Sequence, residues 1–247
     1  MTAPRSTRGA ARLYTFVALA AALAAVFVRL GLWQLDRLQE RKAVNVALKA
    51  ALAEPAIPFP ELQMGSGGLD RHTTVEGTPD YENEFVVTGR SRNGSPGVHI
   101  FTPIKVSGAE QAVLVNRGWV YAADAATADL SRWRENRRVF TGYTQPIPRE
   151  QAGSTVKGRG LRPLHLDGVL RLVPYAVYGQ YVVSQDSATE TSPVRLPEPD
   201  LGDGPHLGYA IQWFCFAAIA LIGAGIVVAR SRQSGAPGAT EGFAGSK

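Results

Sequence analysis

The stretch YAIQWFCFAAIALIGAGIVVA, residues 209–229, carries no charged residue. As a helix rising about 1.5 Å per residue it is long enough to cross the hydrocarbon core of a bilayer. Aromatic residues crowd its start (Tyr209, Trp213, Phe214, Phe216) and small ones its end (Gly223, Ala224, Gly225), as expected of a span entering through an aromatic interface. A second run, LYTFVALAAALAAVFV, residues 13–28, continues past Arg29 through Leu30, Gly31, Leu32 and Trp33. Arg29, near one end of it, is placed to snorkel. The two runs divide the chain into an N-terminal tail 1–12, a transmembrane helix 13–33, a domain 34–207, a transmembrane helix 208–229 and a tail 230–247.

A cleaved signal peptide competes for the first run, because Arg5, Arg8 and Arg12 precede it. Such a peptide needs small residues just after its apolar core. Here Arg-Leu-Gly-Leu-Trp-Gln-Leu follows and the alanines sit inside the run, which favours a retained anchor. Charge placement sets the orientation. Residues 31–207 carry 19 Lys/Arg against 20 Asp/Glu, so the formal +5 of the chain resides beside the two apolar runs. Cationic flanks stay in the cytoplasm, which puts both termini inside and the large domain across the membrane. The basic excess forms no patch on a domain, so a nucleic-acid partner is not expected. The lone Cys215 rules out an internal disulfide and a Cys-x-x-Cys metal or redox site.

Within the central domain, Leu35, Leu38, Val44, Leu48 and Leu52 keep helical spacing among charges. The first helix is therefore expected to continue as an amphipathic one until Pro55, Pro58 and Pro60 end it. Runs with β-branched and aromatic character then follow at Thr73–Gly77, Glu84–Arg92, Val98–Val106, Gln111–Tyr121, Arg137–Thr144 and Gly179–Gln185. Leu164–Tyr178 has room for a helix. Gly153–Gly160 reads as a mobile basic loop, and Gly235–Lys247 as a disordered tail. The expected fold is a membrane α+β chain: two transmembrane helices flanking an extracytoplasmic, antiparallel β-rich domain or small barrel.

Catalytic signatures are lacking. The chain has no Gly-x-Ser-x-Gly, His-Glu-x-x-His or phosphate-binding glycine loop. Ser154 and Lys157 have the spacing of a serine nucleophile and lysine base, but the lysine stands among glycines and Arg159, not in the dry pocket that chemistry needs. His72, His99 and His165 lack ligand spacing. Copper delivery is disfavoured, since Met1, Met64 and Cys215 are the only soft side chains. His206 differs, for it follows Asp203-Gly204-Pro205, a helix start, and shares a helix face with Tyr209, Ala210 and Trp213. An imidazole among aromatics at a membrane surface could ligate the iron of a lipophilic haem, and anchoring of the helix at the interface is the plainer alternative. Arg29, Trp33 and Arg37 likewise share a face, suited to haem propionates or to the same anchoring. Asn116-Arg117-Gly118-Trp119, after a strand pattern, reads as a tight turn with a packed tryptophan, and partner contact is its functional alternative.

Four segments together carry a resemblance: Leu30 to Arg37 (LGLWQLDR), Val98 to Ile104 (VHIFTPI), Val113 to Val120 (VLVNRGWV) and His206 to Phe214 (HLGYAIQWF). In this order they resemble the motifs of the Surfeit locus protein 1 family, over residues 30 to 216. The resemblance implies two spans with a large domain facing the bacterial periplasm or the mitochondrial intermembrane space. It implies an assembly factor for haem-copper cytochrome c oxidase, not an enzyme, in a bacterial plasma membrane, binding haem a and assisting its insertion into the catalytic subunit. His206 would be the iron ligand, with Tyr209, Trp213, Trp33 and Arg37 as further haem contacts. The partners would be the oxidase catalytic subunit and the haem a supply machinery. A scaffold for oxidase assembly that binds no haem is the alternative, and a Ser154/Lys157 hydrolase is a third reading.

Overall fold

The computed structural model describes residues 7–64, 68–149 and 153–233. The reading of residues 235–247 as a disordered tail, and the first six residues of the N-terminal tail, lie outside them. The chain forms two compact units, one made of residues 1–45 and 202–247 and the other of residues 46–201.

The first unit is a helix pair. Helix α1, Thr7–Ala53, is unbroken, so the apolar run and the charged stretch after it are one helix, which stops just before Pro55. Its partner α4, His206–Gln233, starts directly after Pro205. Both are long and apolar enough to cross a membrane. Buried positions recur every seven residues: Ala24, Gly31, Leu38 and Asn45 on α1, and Ala210, Ala217 and Ala224 on α4. That repeat marks the seam along which the two helices pack, and most of its members are small. The outward faces are apolar, with Leu19, Leu23, Val26, Ile211, Ile219 and Ile222 exposed, a surface suited to lipid.

The second unit is a ten-stranded sheet. Its strands are β1 (Ile57–Pro58), β2 (His72–Glu76), β3 (Thr78–Pro79), β4 (Phe85–Arg92), β5 (Ser95–Lys105), β6 (Ala112–Tyr121), β7 (Val139–Pro146), β8 (Thr155–Lys157), β9 (Gly160–Arg162) and β10 (Val177–Ser184). Two short helices, α2 (Phe59–Met64) and α3 (Leu166–Leu172), complete it. The order across the sheet is β1-β2-β7-β10-β6-β5-β4-β9-β8, with β3 on β5. The six expected strands are present, and the Leu164–Tyr178 region holds α3.

The sheet is mixed, which corrects the expectation of an antiparallel domain. β1 with β2, β10 with β6, and β4 with β9 pair in parallel. The long connection from β6 through β7, β8, β9 and α3 returns the chain between β6 and β7, and there β10 lies parallel to one and antiparallel to the other. Residues 153–160 are likewise no loop. β8 and β9 form a hairpin in which Lys157 faces Gly160 across a two-residue turn, and Gly158 at φ +57° takes the left-handed position such a turn requires. Three apolar clusters cover the sheet, around Phe85, Phe101, Leu161 and Val169, around Phe59, Val113 and Phe140, and around Val98, Ile100 and Val120.

Asn116–Trp119 is not a turn but a bulge inside β6. Phe101 pairs with Asn116 and Ile100 with Gly118, so Arg117 is the extra residue, and Gly118 supplies φ +130°. Arg117 is fully buried. Its guanidinium donates to Thr102 Oγ1 at 2.7 Å, Glu84 Oε2 at 2.8 Å, Glu135 Oε2 at 3.4 Å and the Trp133 carbonyl. Arg195 closes the network, donating to Glu135 Oε1 at 2.5 Å and to the Arg117 carbonyl at 2.6 Å, while Ser192 Oγ donates to Glu135 Oε1 at 2.7 Å. Burial pushes the Glu84 carboxyl up against the pull of Arg117. For Glu135 burial acts the same way, but the hydrogen bonds from Arg195 and Ser192 outweigh it and hold that carboxyl down.

Candidate functional site

The five residues singled out in the sequence, His206, Tyr209, Trp213, Trp33 and Arg37, all belong to the helix pair. His206 is the first residue of α4 and half-buried, and its Nδ1 lies 2.9 Å from Gln34 Oε1 on α1. An amide oxygen only accepts, so in this contact Nδ1 donates and Nε2 takes no part in it. An imidazole held through one nitrogen with the other free to ligate is the arrangement by which proteins orient a metal-binding histidine.

Two turns further along α4, Trp213 stacks on Phe27 of α1 with ring centroids 5.7 Å apart, and Phe216 meets both rings at 5.7 and 5.8 Å. At Gly31 the Phe214 side chain packs against the α1 backbone, since a Cβ there would come within 2.6 Å of its ring. Contacts run from Phe27 with Trp213 and Phe216, through Gln34 with His206, to Arg41 and Asn45, which donate to the Gly202 carbonyl at 3.1 and 3.2 Å. Rising numbers on α1 meet falling numbers on the other strand of the pair, so the helices are antiparallel.

Trp33 and Arg37 form their own group on α1. The guanidinium sits 5.8 Å from the Trp33 ring centroid and pairs with Glu40 at 2.6 Å. Both side chains are exposed, as is Tyr209. The structure therefore unites His206 with Gln34 and Trp213 with Phe27, and leaves Trp33, Arg37 and Tyr209 on outward surfaces. Gln34 and Phe27 were missed from the sequence. An amide amid Leu-Gly-Leu-Trp-Gln-Leu was the available signal for Gln34, because a polar side chain in an apolar helix needs a partner.

The remaining histidines lie in the sheet domain. His165 is buried just ahead of α3, its Nδ1 2.8 Å from the Pro163 carbonyl. His72 is in β2 and His99 in β5, where burial, with help from Arg90, pushes the imidazole down to about 4. Lys157 is exposed in β8 and lacks the desolvation a lysine base requires. Among the described residues no three His, Cys, Asp or Glu side chains cluster to hold a metal ion.

Residues 21–218 match the model of the SURF1 family. A SURF1-like protein of Rickettsia conorii is 24% identical over 202 residues, covering 78% of this chain and 82% of that one. An uncharacterized SURF1-like protein of Mycobacterium tuberculosis is 26% identical, covering 85% and 83%. The cytochrome oxidase assembly protein SHY1 of Saccharomyces cerevisiae is 30% identical over 94 residues, 37% of this chain and 24% of that protein. With a buried seam joining two apolar helices, a mixed sheet between them in sequence and a family match over most of its length, this chain belongs to the SURF1 family.

Proposed function

We propose that the protein is an assembly factor for cytochrome c oxidase that receives haem a at the helix pair and passes it to the oxidase catalytic subunit. The observation that supports this reading is the Gln34–His206 contact, which orients the imidazole through Nδ1 and leaves Nε2 available to a metal. The residues present fit a haem with a long isoprenoid tail. His206 would supply a ligating nitrogen, Phe27, Trp213 and Phe216 would supply aromatic wall, and the apolar faces of α1 and α4 suit the lipid into which such a tail partitions. Arg37, backed by Trp33 and paired with Glu40 on the exposed face, is a cation that would exchange that partner for a propionate. The SHY1 name supplies the oxidase, and the antiparallel pair with basic outer flanks supports cytoplasmic termini and an extracytoplasmic sheet domain in a bacterial plasma membrane.

The test is an absorption spectrum of the detergent-purified protein from cells that synthesise haem a. Wild type should carry haem a, and His206→Ala should lose it while remaining inserted, since one half-buried side chain contributes little to spanning. His72, His99 and His165 variants should keep it. Wild type that purifies without haem from such cells refutes the haem step and leaves the family's scaffold reading. For topology, an exported reporter fused at residue 120 should be active and a cytoplasmic one there silent; the reverse refutes the orientation.

A further inference from the structure

A recess of about 290 Å³ lies on the sheet domain where β4, β5, β6, β10 and β7 present one common face. Register explains why. Val87 pairs with His99 and Arg90 with Gly97, so a bulge at Thr88 and Gly89, with Gly89 at φ +69°, turns Arg90 onto the side that His99 and Phe101 occupy. Phe101 pairs with Asn116, Asn116 with Val183, and Tyr181 with Gln145, which carries the same face across to β7. Leu164 and the segment after β10, through Leu196 and Pro199, enclose it.

The polar groups of the recess fall into two sets. Tyr143 donates to the Pro197 carbonyl, Asn116 accepts from the Gly118 amide, and Gln145 is engaged with Asp70. Arg90, His99 and Tyr181 have no hydrogen-bond or ion-pair partner among the described residues, and the Arg90 Nε is buried in that condition. A guanidinium, an imidazole and a phenol thus line one small space without a protein hydrogen-bond partner among the described residues. The Arg90 Nε is the buried donor without a partner, and buried donors are satisfied in folded proteins, so an acceptor rich in lone pairs belongs beside it. No lining residue is acidic. The charge of Arg90 is felt at both His99 and Tyr181, and helps hold the imidazole neutral, which an arriving anion would reverse.

The size and walls narrow the ligand. A recess this small, with Phe101, Leu164 and Leu196 in its lining, takes an anion with a short apolar body. Arg90 is the only Lys or Arg side chain in the described lining, which suits an anion of single charge. We propose that the recess binds a small monocarboxylate, received by the Arg90 guanidinium with His99 and Tyr181 donating beside it. No residue of the helix pair takes part, so this site stands or falls apart from haem binding.

The test uses full-length protein in detergent with ring-labelled histidine, followed by NMR as benzoate, benzamide or inorganic phosphate is added. Benzoate should shift the His99 signal saturably and leave His72, His165 and His206 in place. The neutral isostere benzamide should do nothing, and phosphate should bind about tenfold or more weaker. Arg90→Gln should weaken benzoate by about tenfold or more, as expected for a charge-assisted contact, and Arg90→Lys by less. Tyr181→Phe removes one hydroxyl and should weaken it about threefold or more, which carries the test should Arg90→Gln not fold. No saturable His99 response to benzoate, an equal response to benzamide, tighter binding of phosphate, or undiminished affinity in Tyr181→Phe would each overturn the proposal.

Discussion

Gln34 and His206, 172 positions apart in the chain, meet at 2.9 Å across the two apolar helices. This contact decides which imidazole nitrogen is free, so Gln34 is a positioning residue for the proposed haem ligand. Gln34→Leu should keep the protein inserted and lower haem a affinity by about 10- to 100-fold, the usual cost of removing the group that orients a ligating histidine. Gln34→Glu, which still accepts from Nδ1, should restore most of it. Haem titration of apoprotein in detergent reads both, and equal loss in the two variants would show that the contact only packs.

Gly31 tests whether the close approach of the helices matters. Alanine is a better helix former than glycine by about 1 kcal/mol, so α1 itself gains from Gly31→Ala. Its Cβ would nonetheless press on the Phe214 ring at 2.6 Å, an overpacking that costs about 1–3 kcal/mol. Haem a binding should therefore fall in Gly31→Ala and recover in the double variant with Phe214→Leu. A fall that the second change does not relieve would locate the effect elsewhere.

Arg117 and Glu84 join at 2.8 Å with both side chains buried. Removing one member of such a pair strands the other charge away from water, at about 3–5 kcal/mol. Glu84→Gln and Arg117→Met should each lower the thermal midpoint of the sheet domain. Arg117→Lys should rescue little, because an ammonium cannot serve Thr102, Glu84, Glu135 and the Trp133 carbonyl from one planar fork. Haem a binding by surviving protein should be unchanged.

Stability should depend on pH through His99. Its imidazole, pushed down from 6.5 to about 4 by burial, stays neutral in the folded chain over a range where the unfolded chain binds a proton. The unfolded state then holds more protons, so stability falls as pH drops from about 6.5 to about 4 and this group adds no further loss below that. The full span is on the order of 3 kcal/mol. His99→Gln should flatten that part of the curve in denaturant titrations at pH 7 and pH 4.5, and an unchanged slope would contradict the burial.

Much of the architecture is legible in local pattern. Apolar runs long enough to span a bilayer, six strands of β-branched character and the proline that ends α1 are properties of short windows, and each appears where its residues predict it. The four strands left unread, β1, β3, β8 and β9, have two or three residues each and are too short to show a period. Residues 153–160 look like a loop because glycine marks a turn without saying that strands flank it.

The two apolar helices, the six longer strands and the histidine at the head of α4 are readable along the chain, because length, hydropathy and period are written residue by residue. That β10 runs parallel to β6 emerges with the fold, since alternation is the same in either direction. The fold likewise makes Arg117 a buried strand residue and not the corner of a turn, because a bulge depends on the register of two strands. The same holds for Gln34 with His206 and for Arg90 beside His99, pairs made by a helix seam and a sheet bulge that bring distant residues onto one face.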